Sequence, residues 1–230
     1  MSSESWDVEV KTTGDFEPFE VPPDGAIPAR ICAMIDVGTH DARKMDGSTY
    51  ERHYVILGFE LAETDSKGKP FFMAKPYTLS LSTKSSLFEM VKALNGEPKL
   101  GEKLNPAWLA NKPCLLQISH ETKTKKGKDR TYANIDSVGK PPKGTPTPPG
   151  SCIVWRIKSG QPLPDVSHLP PIWHEDTGKM LKVNEWAACC HELTAAMAGD
   201  VRMPPQQSQH NPAMQPMTQE EADSGLDVPF

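Results

Sequence analysis

Residues 29–37 read ARICAMIDV, and every second position from Ala29 to Val37 is apolar. A period of two over nine residues predicts a β-strand with one buried face. Residues 53–61, HYVILGFEL, alternate in the same way. The apolar face of this second strand carries Val55, Leu57, Phe59 and Leu61. A turn at residues 65–69 leads to a third strand pattern at residues 71–81.

The period changes after the third strand. Between residues 82 and 94, apolar side chains recur at helical spacing, at Leu87, Met90, Val91 and Leu94. Ser82 or Thr83 is the predicted N-cap, and Asn95-Gly96 ends the helix. A short helical turn is expected at residues 106–110, with Trp108 and Leu109 in the core. Two further strands are predicted at residues 113–120 and 131–138.

Three strands, a helix and two strands follow the element order of the oligonucleotide-binding (OB) fold. That fold is a five-stranded, partly open Greek-key barrel, commonly with its helix between strands 3 and 4. The predicted class is therefore mainly β: an OB-fold barrel with a C-terminal extension and a disordered tail. An α+β sandwich with the same element order is the alternative.

Composition limits the size of the packed domain. The chain has 230 residues, is 37% hydrophobic and contains 23 prolines, about twice the typical proline share of roughly 5%. We expect an acidic arm at 1–24, the OB domain at 25–140, a Pro-rich linker with a small appended segment at 141–198, and a disordered acidic tail at 199–230. A short strand at residues 152–157 and a helix at residues 184–198 are the elements expected in the appended segment. Its tryptophans, Trp155, Trp173 and Trp186, predict that it packs on something.

Charge is divided unevenly along the chain. Residues 25–140 hold eighteen basic and thirteen acidic residues, whereas residues 1–24 and 199–230 are both acidic. A basic centre between acidic ends favours binding of a polyanion at the centre. Ordinary solvated surface charge is the alternative interpretation.

The densest basic stretch joins the last two predicted strands. Residues 121–130 read ETKTKKGKDR and are interpreted as a long flexible hairpin tip. Its cations are Lys123, Lys125, Lys126, Lys128 and Arg130. A row of phosphates would bind such a tip through release of counterions. A tip that only keeps the hairpin soluble is the competing hypothesis.

Single-strand binders also need aromatic side chains on which bases stack. Tyr54 adjoins Arg52 on the second strand, and Tyr132 adjoins Arg130 on the fifth, so these two are the preferred platforms. Phe72 and Tyr77 on the third strand are further candidates. Aromatic residues in strands are more often part of the core.

The sequence contains no phosphate-binding loop, nucleophile elbow or HExxH motif, so we expect neither an enzyme nor a cofactor. Cys32 and Cys114 lie in apolar runs and are expected in the core. Cys189-Cys190-His191, with His174, could hold zinc, but adjacent cysteines rarely suit a tetrahedral site and no metal is predicted. An acidic N-terminus without an apolar run, and no membrane-length apolar segment, predict a cytoplasmic protein.

The last eleven residues, 220–230, read EEADSGLDVPF. They resemble the ends of bacterial and phage single-stranded DNA-binding proteins, where acidic residues precede Asp-Asp-Ile-Pro-Phe. Asp227, Pro229 and Phe230 match that pattern, Val228 replaces isoleucine, and Leu226 replaces the first aspartate. The resemblance implies that Asp227, Val228, Pro229 and Phe230 dock on replication, recombination or repair proteins, as a flexible charged and aromatic anchor would.

Residues 25–145 carry a more diffuse resemblance to phage OB-fold single-strand binders. It rests on ARICAMIDVG at 29–38, GFEL at 58–61, YTLSL at 77–81 and KSSL at 84–87. Together the resemblances imply a protein that coats and protects single-stranded DNA and recruits enzymes through its tail. The alternative is an OB-fold adaptor of a replication complex that does not touch DNA. Monomer and homodimer both remain open.

Overall fold

The computed structural model describes residues 20–44, 46–98, 106–125, 128–157, 162–175 and 177–197. Most of the acidic arm and all of the predicted tail, including Asp227, Val228, Pro229 and Phe230, lie outside this part of the chain. The strands are β1 (Gly25–Arg43), β2 (Thr49–Thr64), β3 (Pro70–Thr78), β4 (Pro113–Lys125), β5 (Lys128–Gly139), β6 (Ile153–Arg156), β7 (Ile172–His174) and β8 (Lys179–Leu181). The helices are α1 (Ser86–Asn95), a 3₁₀ turn (Pro106–Leu109), α2 (Val183–Ala188) and α3 (His191–Met197).

The main sheet is antiparallel along the path β3-β2-β1-β4-β5. Three consecutive strands are followed by a fourth that returns beside the first, which is the Greek-key arrangement. The long connection that allows this return contains α1 and the 3₁₀ turn. The prediction of a mainly β fold with one helix between the third and fourth strands is confirmed.

Strand β1 is long enough to pair with two different strands along one edge. Its first part, Gly25–Arg30, pairs with β4, and residues 33–36 pair in parallel with β6. Strand β6 falls within the 152–157 segment where a short strand is predicted. The C-terminal extension therefore joins the main sheet through backbone hydrogen bonds.

The prediction that β1 buries a single face is wrong. Ala29, Ile31 and Met34 belong to a first core, whereas Ala33 and Ile35 belong to a second core on the opposite side. A bulge between Ile31 and Ala33 shifts the register, so strict alternation is broken at that point. Both faces of β1 are covered, and a pattern with a period of two cannot show this.

The alternation of β2 is confirmed. Val55, Leu57, Phe59 and Leu61 all lie in the first core. The opposite face of β2 carries Tyr54 and Ile56, which lie in the second core. Cys32 and Cys114 are also buried as predicted, and burial raises the pKa of each thiol to about 12.

Helix α1 begins and ends near its predicted bounds. Ser85, rather than Ser82 or Thr83, is the N-cap, and its hydroxyl accepts a hydrogen bond from the Phe88 amide at 3.1 Å. Gly96 follows the last helical residue with a φ of 91°, in the left-handed region that glycine tolerates. Leu87, Met90 and Val91 face the first core. The 3₁₀ turn places Leu109 in the same core, with Trp108 packed against it.

Strands β3 and β5 form the two ends of the sheet path. In the described residues these strands share no backbone pairing, but the Lys75 ammonium donates to the Ile135 carbonyl at 2.6 Å. Burial lowers the pKa of Lys75. One charged side chain thus bridges the two ends of the sheet.

The described residues between 151 and 197 (151–157, 162–175 and 177–197) form a layer over the outer side of β1 and β2, which we call the cover. Trp155 and Trp186 are buried in the second core, as predicted, but Trp173 is 55% exposed. The single helix predicted at residues 184–198 is divided into α2 and α3 around Cys189. Within the described residues, no helix is long and apolar enough to cross a membrane.

Candidate nucleic-acid interface

Strands β4 and β5 continue past the edge of the sheet as a two-stranded ribbon. Pairing of β4 with β1 ends at Ile118 opposite Gly25, whereas pairing with β5 continues to Lys125 opposite Lys128. The prediction of a ten-residue flexible tip is therefore wrong, because most of residues 121–130 lie in paired strands. Lys126 lies outside the described residues.

One face of the ribbon carries the cationic side chains of Lys123 and Arg130. Lys123 pairs with Arg130, and Glu121 pairs with Tyr132. Residues directly opposite each other, and residues two apart on one strand, share a face. Lys123, Arg130 and Tyr132 therefore lie together, and we call this surface the basic face.

The side chains of the basic face are accessible. Tyr132 is 41% exposed and is among the few large hydrophobic residues on the surface. The Lys123 side chain is 62% exposed and pairs with Glu121 at 3.0 Å. An exposed pair of this kind contributes only about 0–1 kcal/mol, so Lys123 can exchange Glu121 for a phosphate at little cost.

The opposite face of the ribbon has a different chemistry. Thr122 and Thr131 hydrogen bond to each other at 3.1 Å, and the Thr124 hydroxyl donates to Asp129 at 2.5 Å. This face carries hydroxyls and one carboxylate in place of cations. The two faces of the ribbon are therefore chemically distinct, and only one suits a polyanion.

Arg52 is not brought to the ribbon. Its guanidinium carbon lies 4.8 Å from the ring centroid of Tyr50, and the Lys44 ammonium lies 5.7 Å from the same ring. These three residues form a separate cationic and aromatic group at the β1–β2 hairpin. Sequence reasoning missed Tyr50, although its position two residues from Arg52 on one strand is a signal for a shared face.

Three of the four predicted stacking residues are not open platforms in the structure. Tyr54 and Tyr77 are buried, and burial raises the pKa of both phenols. Phe72 is half-buried against the His168 ring, with centroids 4.8 Å apart. Tyr77 belongs to the first core, whereas Tyr54 is hidden by the cover. Of these four residues, only Tyr132 offers an exposed ring.

The cover explains why Tyr54 is hidden. Leu169 packs against Gly58 on β2 so closely that a Cβ at position 58 would lie 2.7 Å from the leucine Cδ2. Gly38 on β1, with a φ of +82°, meets Cys190 and Glu192 just as closely. The cover therefore contacts both β1 and β2 on their outer side.

Comparison with models of known protein families gives no match, and comparison with curated proteins gives no significant match.

Proposed function

We propose that this chain is a single-stranded DNA-binding protein that coats and protects the strand during DNA replication or recombination. The observation that carries the proposal is the exposed ring of Tyr132 on the same face as Arg130 and Lys123. Cations along a strand neutralise phosphates and release counterions. An exposed ring adds a stacking contact of about 1–3 kcal/mol per base.

This combination favours single strands over duplex. Bases in a duplex are already stacked on each other, so a protein ring gains contact with them only after they separate. Bases of a single strand present their faces directly. The basic face would therefore gain phosphate contacts from either form of DNA but the stacking contact mainly from the single strand.

The strand path supports the OB-fold part of the proposal. An OB fold is a partly open Greek-key barrel, and oligonucleotides bind it at strands 2–3 and at the loops after strands 1 and 4. Here the cover lies on the outer side of β2, and the β4–β5 ribbon projects from the sheet. We therefore place the main DNA contacts on the ribbon rather than on β2.

The tail supplies the second half of the proposed function. Asp227, Val228, Pro229 and Phe230 would recruit replication or repair proteins while the folded part holds DNA. The alternative is an adaptor of a replication complex in which the ribbon contacts protein. Coverage of the β2 surface, at which OB folds bind oligonucleotides, favours that alternative.

A charge reversal on the basic face separates the two functions. In the double variant Lys123→Glu, Arg130→Glu, affinity for fluorescently labelled oligo-dT should fall at least about tenfold, since two phosphate contacts become repulsive. The slope of log affinity against log salt should become shallower by about 1.4, because each single-strand phosphate contact contributes about 0.7. Anisotropy titrations at several salt concentrations measure both.

The matched control makes the same charge change elsewhere. Lys84 and Lys143 are exposed and lie outside the ribbon, so Lys84→Glu, Lys143→Glu should bind almost as the unmodified protein does. Equal losses of affinity in the two double variants would mean that net charge, and not the position of the cations, causes the effect. Undiminished binding by the ribbon variant would favour the adaptor, and equal affinity for duplex and single strand would contradict the proposal.

A further inference from the structure

Three metal-ligating side chains from distant parts of the chain meet between β1 and the cover. His40 is on β1, His174 ends β7, and Cys189 caps the C-terminus of α2. His40 Nδ1 lies 3.2 Å from His174 Nε2, and Cys189 Sγ lies 3.7 Å from His174 Nε2 and 4.0 Å from His40 Nδ1. Both histidines are buried, and the cysteine is half-buried.

We propose that His40, His174 and Cys189 bind a zinc-class divalent ion that fastens the cover to the sheet. Tetrahedral zinc with Zn–N bonds of about 2.0–2.1 Å and a Zn–S bond of about 2.3 Å sets its ligand atoms about 3.3–3.6 Å apart. The three observed separations lie within a few tenths of an ångström of that range. Two imidazoles and a thiolate also form a donor set that zinc prefers.

The orientation of His40 supports the assignment. Its Nε2 lies 2.9 Å from the Val37 carbonyl, so Nε2 carries the proton and Nδ1 directs a lone pair at the cluster. Histidine ligands to metals commonly donate their second ring N–H to such a carbonyl.

Aromatic rings surround the cluster. The Trp186 ring centroid lies 5.2 Å from that of His40 and 4.3 Å from that of His174, and Tyr54 lies 5.9 Å from His40. An apolar wall excludes water and strengthens metal–ligand attraction. Three protein ligands leave the fourth position of the ion to water or to another donor.

The same groups also form a metal-free arrangement. The Thr177 amide donates to His174 Nδ1 at 3.2 Å, which puts the His174 proton on Nε2, facing His40. Binding of an ion requires that proton to move to Nδ1, with loss of the Thr177 hydrogen bond. The Cys189 thiol also loses its proton to solvent, so one proton is released for each ion bound.

The residues next to Cys189 serve as matched controls. Cys190 is buried against Gly38, and His191 lies between Asp41 at 3.4 Å and Glu51 at 3.6 Å. Of the group Cys189, Cys190, His191 and His174 considered in the sequence, only Cys189 and His174 join the cluster. His40, which completes it, is 134 residues from His174.

The test begins with the full-length chain after treatment with a chelator. We expect it to bind one zinc ion per chain and to release about one proton per ion. Cobalt should give the near-ultraviolet absorption of a thiolate ligand and the visible bands of a tetrahedral site. His174→Ala and Cys189→Ser should each weaken binding at least tenfold, whereas Cys190→Ser and His191→Ala should not.

Two results would overturn the proposal. One is a wild-type protein that takes up no stoichiometric zinc and gives no thiolate–cobalt band. The other is equal loss of binding in Cys189→Ser and Cys190→Ser. If the variants fail to fold, alkylation of the wild-type protein decides: zinc should protect Cys189 but not the half-buried Cys152, and absence of selective protection refutes the site.

Discussion

The Tyr54 ring on β2 meets the Trp186 indole on α2 edge to face, with 5.6 Å between the ring centroids. The Trp186 N–H also donates to the Ile172 carbonyl at 3.4 Å. One tryptophan thus connects the sheet, α2 and β7. The cover is part of the folded unit because it supplies the apolar surface that one side of β1 and β2 requires.

Loss of Trp186 should destabilise the protein far more than loss of Trp173. Trp186→Ala removes a buried indole and leaves a cavity, which typically costs about 3–5 kcal/mol in free energy of unfolding. Trp173→Ala changes an exposed side chain in the same segment, and about 0.5 kcal/mol or less is expected. Urea unfolding followed by circular dichroism measures both. A loss of stability in Trp186→Ala as small as that in Trp173→Ala would mean that the second core does not contribute to global stability.

The buried ion pair of Arg30 with Glu60 should be sensitive to removal of one partner. Arg30 is 6% exposed and also donates to Asn111 Oδ1 at 3.0 Å and to the Ser151 carbonyl at 2.7 Å. Arg30→Ala leaves the Glu60 carboxylate unpaired, which should cost about 3–5 kcal/mol in free energy of unfolding. The pair Arg30→Met, Glu60→Leu should recover most of this loss.

The control for this ion pair is on the surface. Lys92 and Glu97 lie 3.6 Å apart, and both side chains are largely exposed. Lys92→Ala should change the free energy of unfolding by about 0–1 kcal/mol, as is typical of exposed pairs. A loss in Arg30→Ala as small as that in Lys92→Ala, measured by urea unfolding, would refute a structural role for the buried pair.

Attachment of α3 to β1 should weaken in acid. Burial alone would raise the pKa of Glu192, but hydrogen bonds from the Thr39 amide and hydroxyl, both at 2.8 Å, outweigh burial and lower the pKa. A carboxyl with a lowered pKa in the folded state stabilises the fold above its unfolded pKa of about 4.5. That contribution is lost as pH falls through the folded pKa.

The Glu192 contribution is measured by comparing variants across pH. The urea midpoint of the unmodified protein should fall more steeply below pH 4.5 than that of Glu192→Gln, which cannot titrate. Glu63→Gln, at an exposed position near the end of β2, should retain the full steepness. Identical pH profiles for all three proteins would show that Glu192 does not couple protonation to folding.

The sequence predicted the first core well because that core lies among neighbouring strands and α1. The alternation of Val55, Leu57 and Phe59 reports one buried face directly. The sequence missed the second core because Ile35 and Ile56 share it with Trp155 and Trp186, which lie about a hundred residues or more further along the chain. A period of two identifies the two faces of a strand but not what covers the polar one.

Prediction of the candidate sites from the sequence has the same limit, because the sequence does not show what covers a side chain. Tyr54 and Tyr132 both adjoin an arginine, yet Trp186 of α2 packs against Tyr54, whereas Tyr132 is 41% exposed. The cluster of His40, His174 and Cys189 has no local spacing that could reveal it. Lys123 and Arg130 share a face because residues 121–125 and 128–130 extend the strands. The abundance of lysine and glycine in this stretch did not indicate strands.

The Tyr132 ring should contribute to DNA affinity independently of charge. Tyr132→Ala removes a stacking contact of about 1–3 kcal/mol, so the dissociation constant for oligo-dT should rise about 5- to 150-fold. The salt dependence should stay unchanged, because no phosphate contact is removed. Tyr132→Phe retains the ring and should bind almost normally. An equal loss of affinity in Tyr132→Phe would mean that Tyr132 contributes through its hydroxyl and not through stacking.

Removal of residues 223–230 should separate the two halves of the proposed function. The deletion removes Asp223, Asp227 and Val228-Pro229-Phe230, so it takes negative charge away from a chain whose basic face is proposed to bind a polyanion. DNA affinity should therefore stay the same or rise, most clearly at low salt where charges are least screened. Binding to replication or repair proteins should be lost, because the acidic and aromatic anchor is gone. Phe230→Ala is the finer variant: it keeps every charge, so it should abolish partner binding and leave DNA affinity unchanged. Anisotropy with oligo-dT and pull-down of replication or repair proteins measure the two effects. Loss of DNA binding on deletion would refute this division of labour.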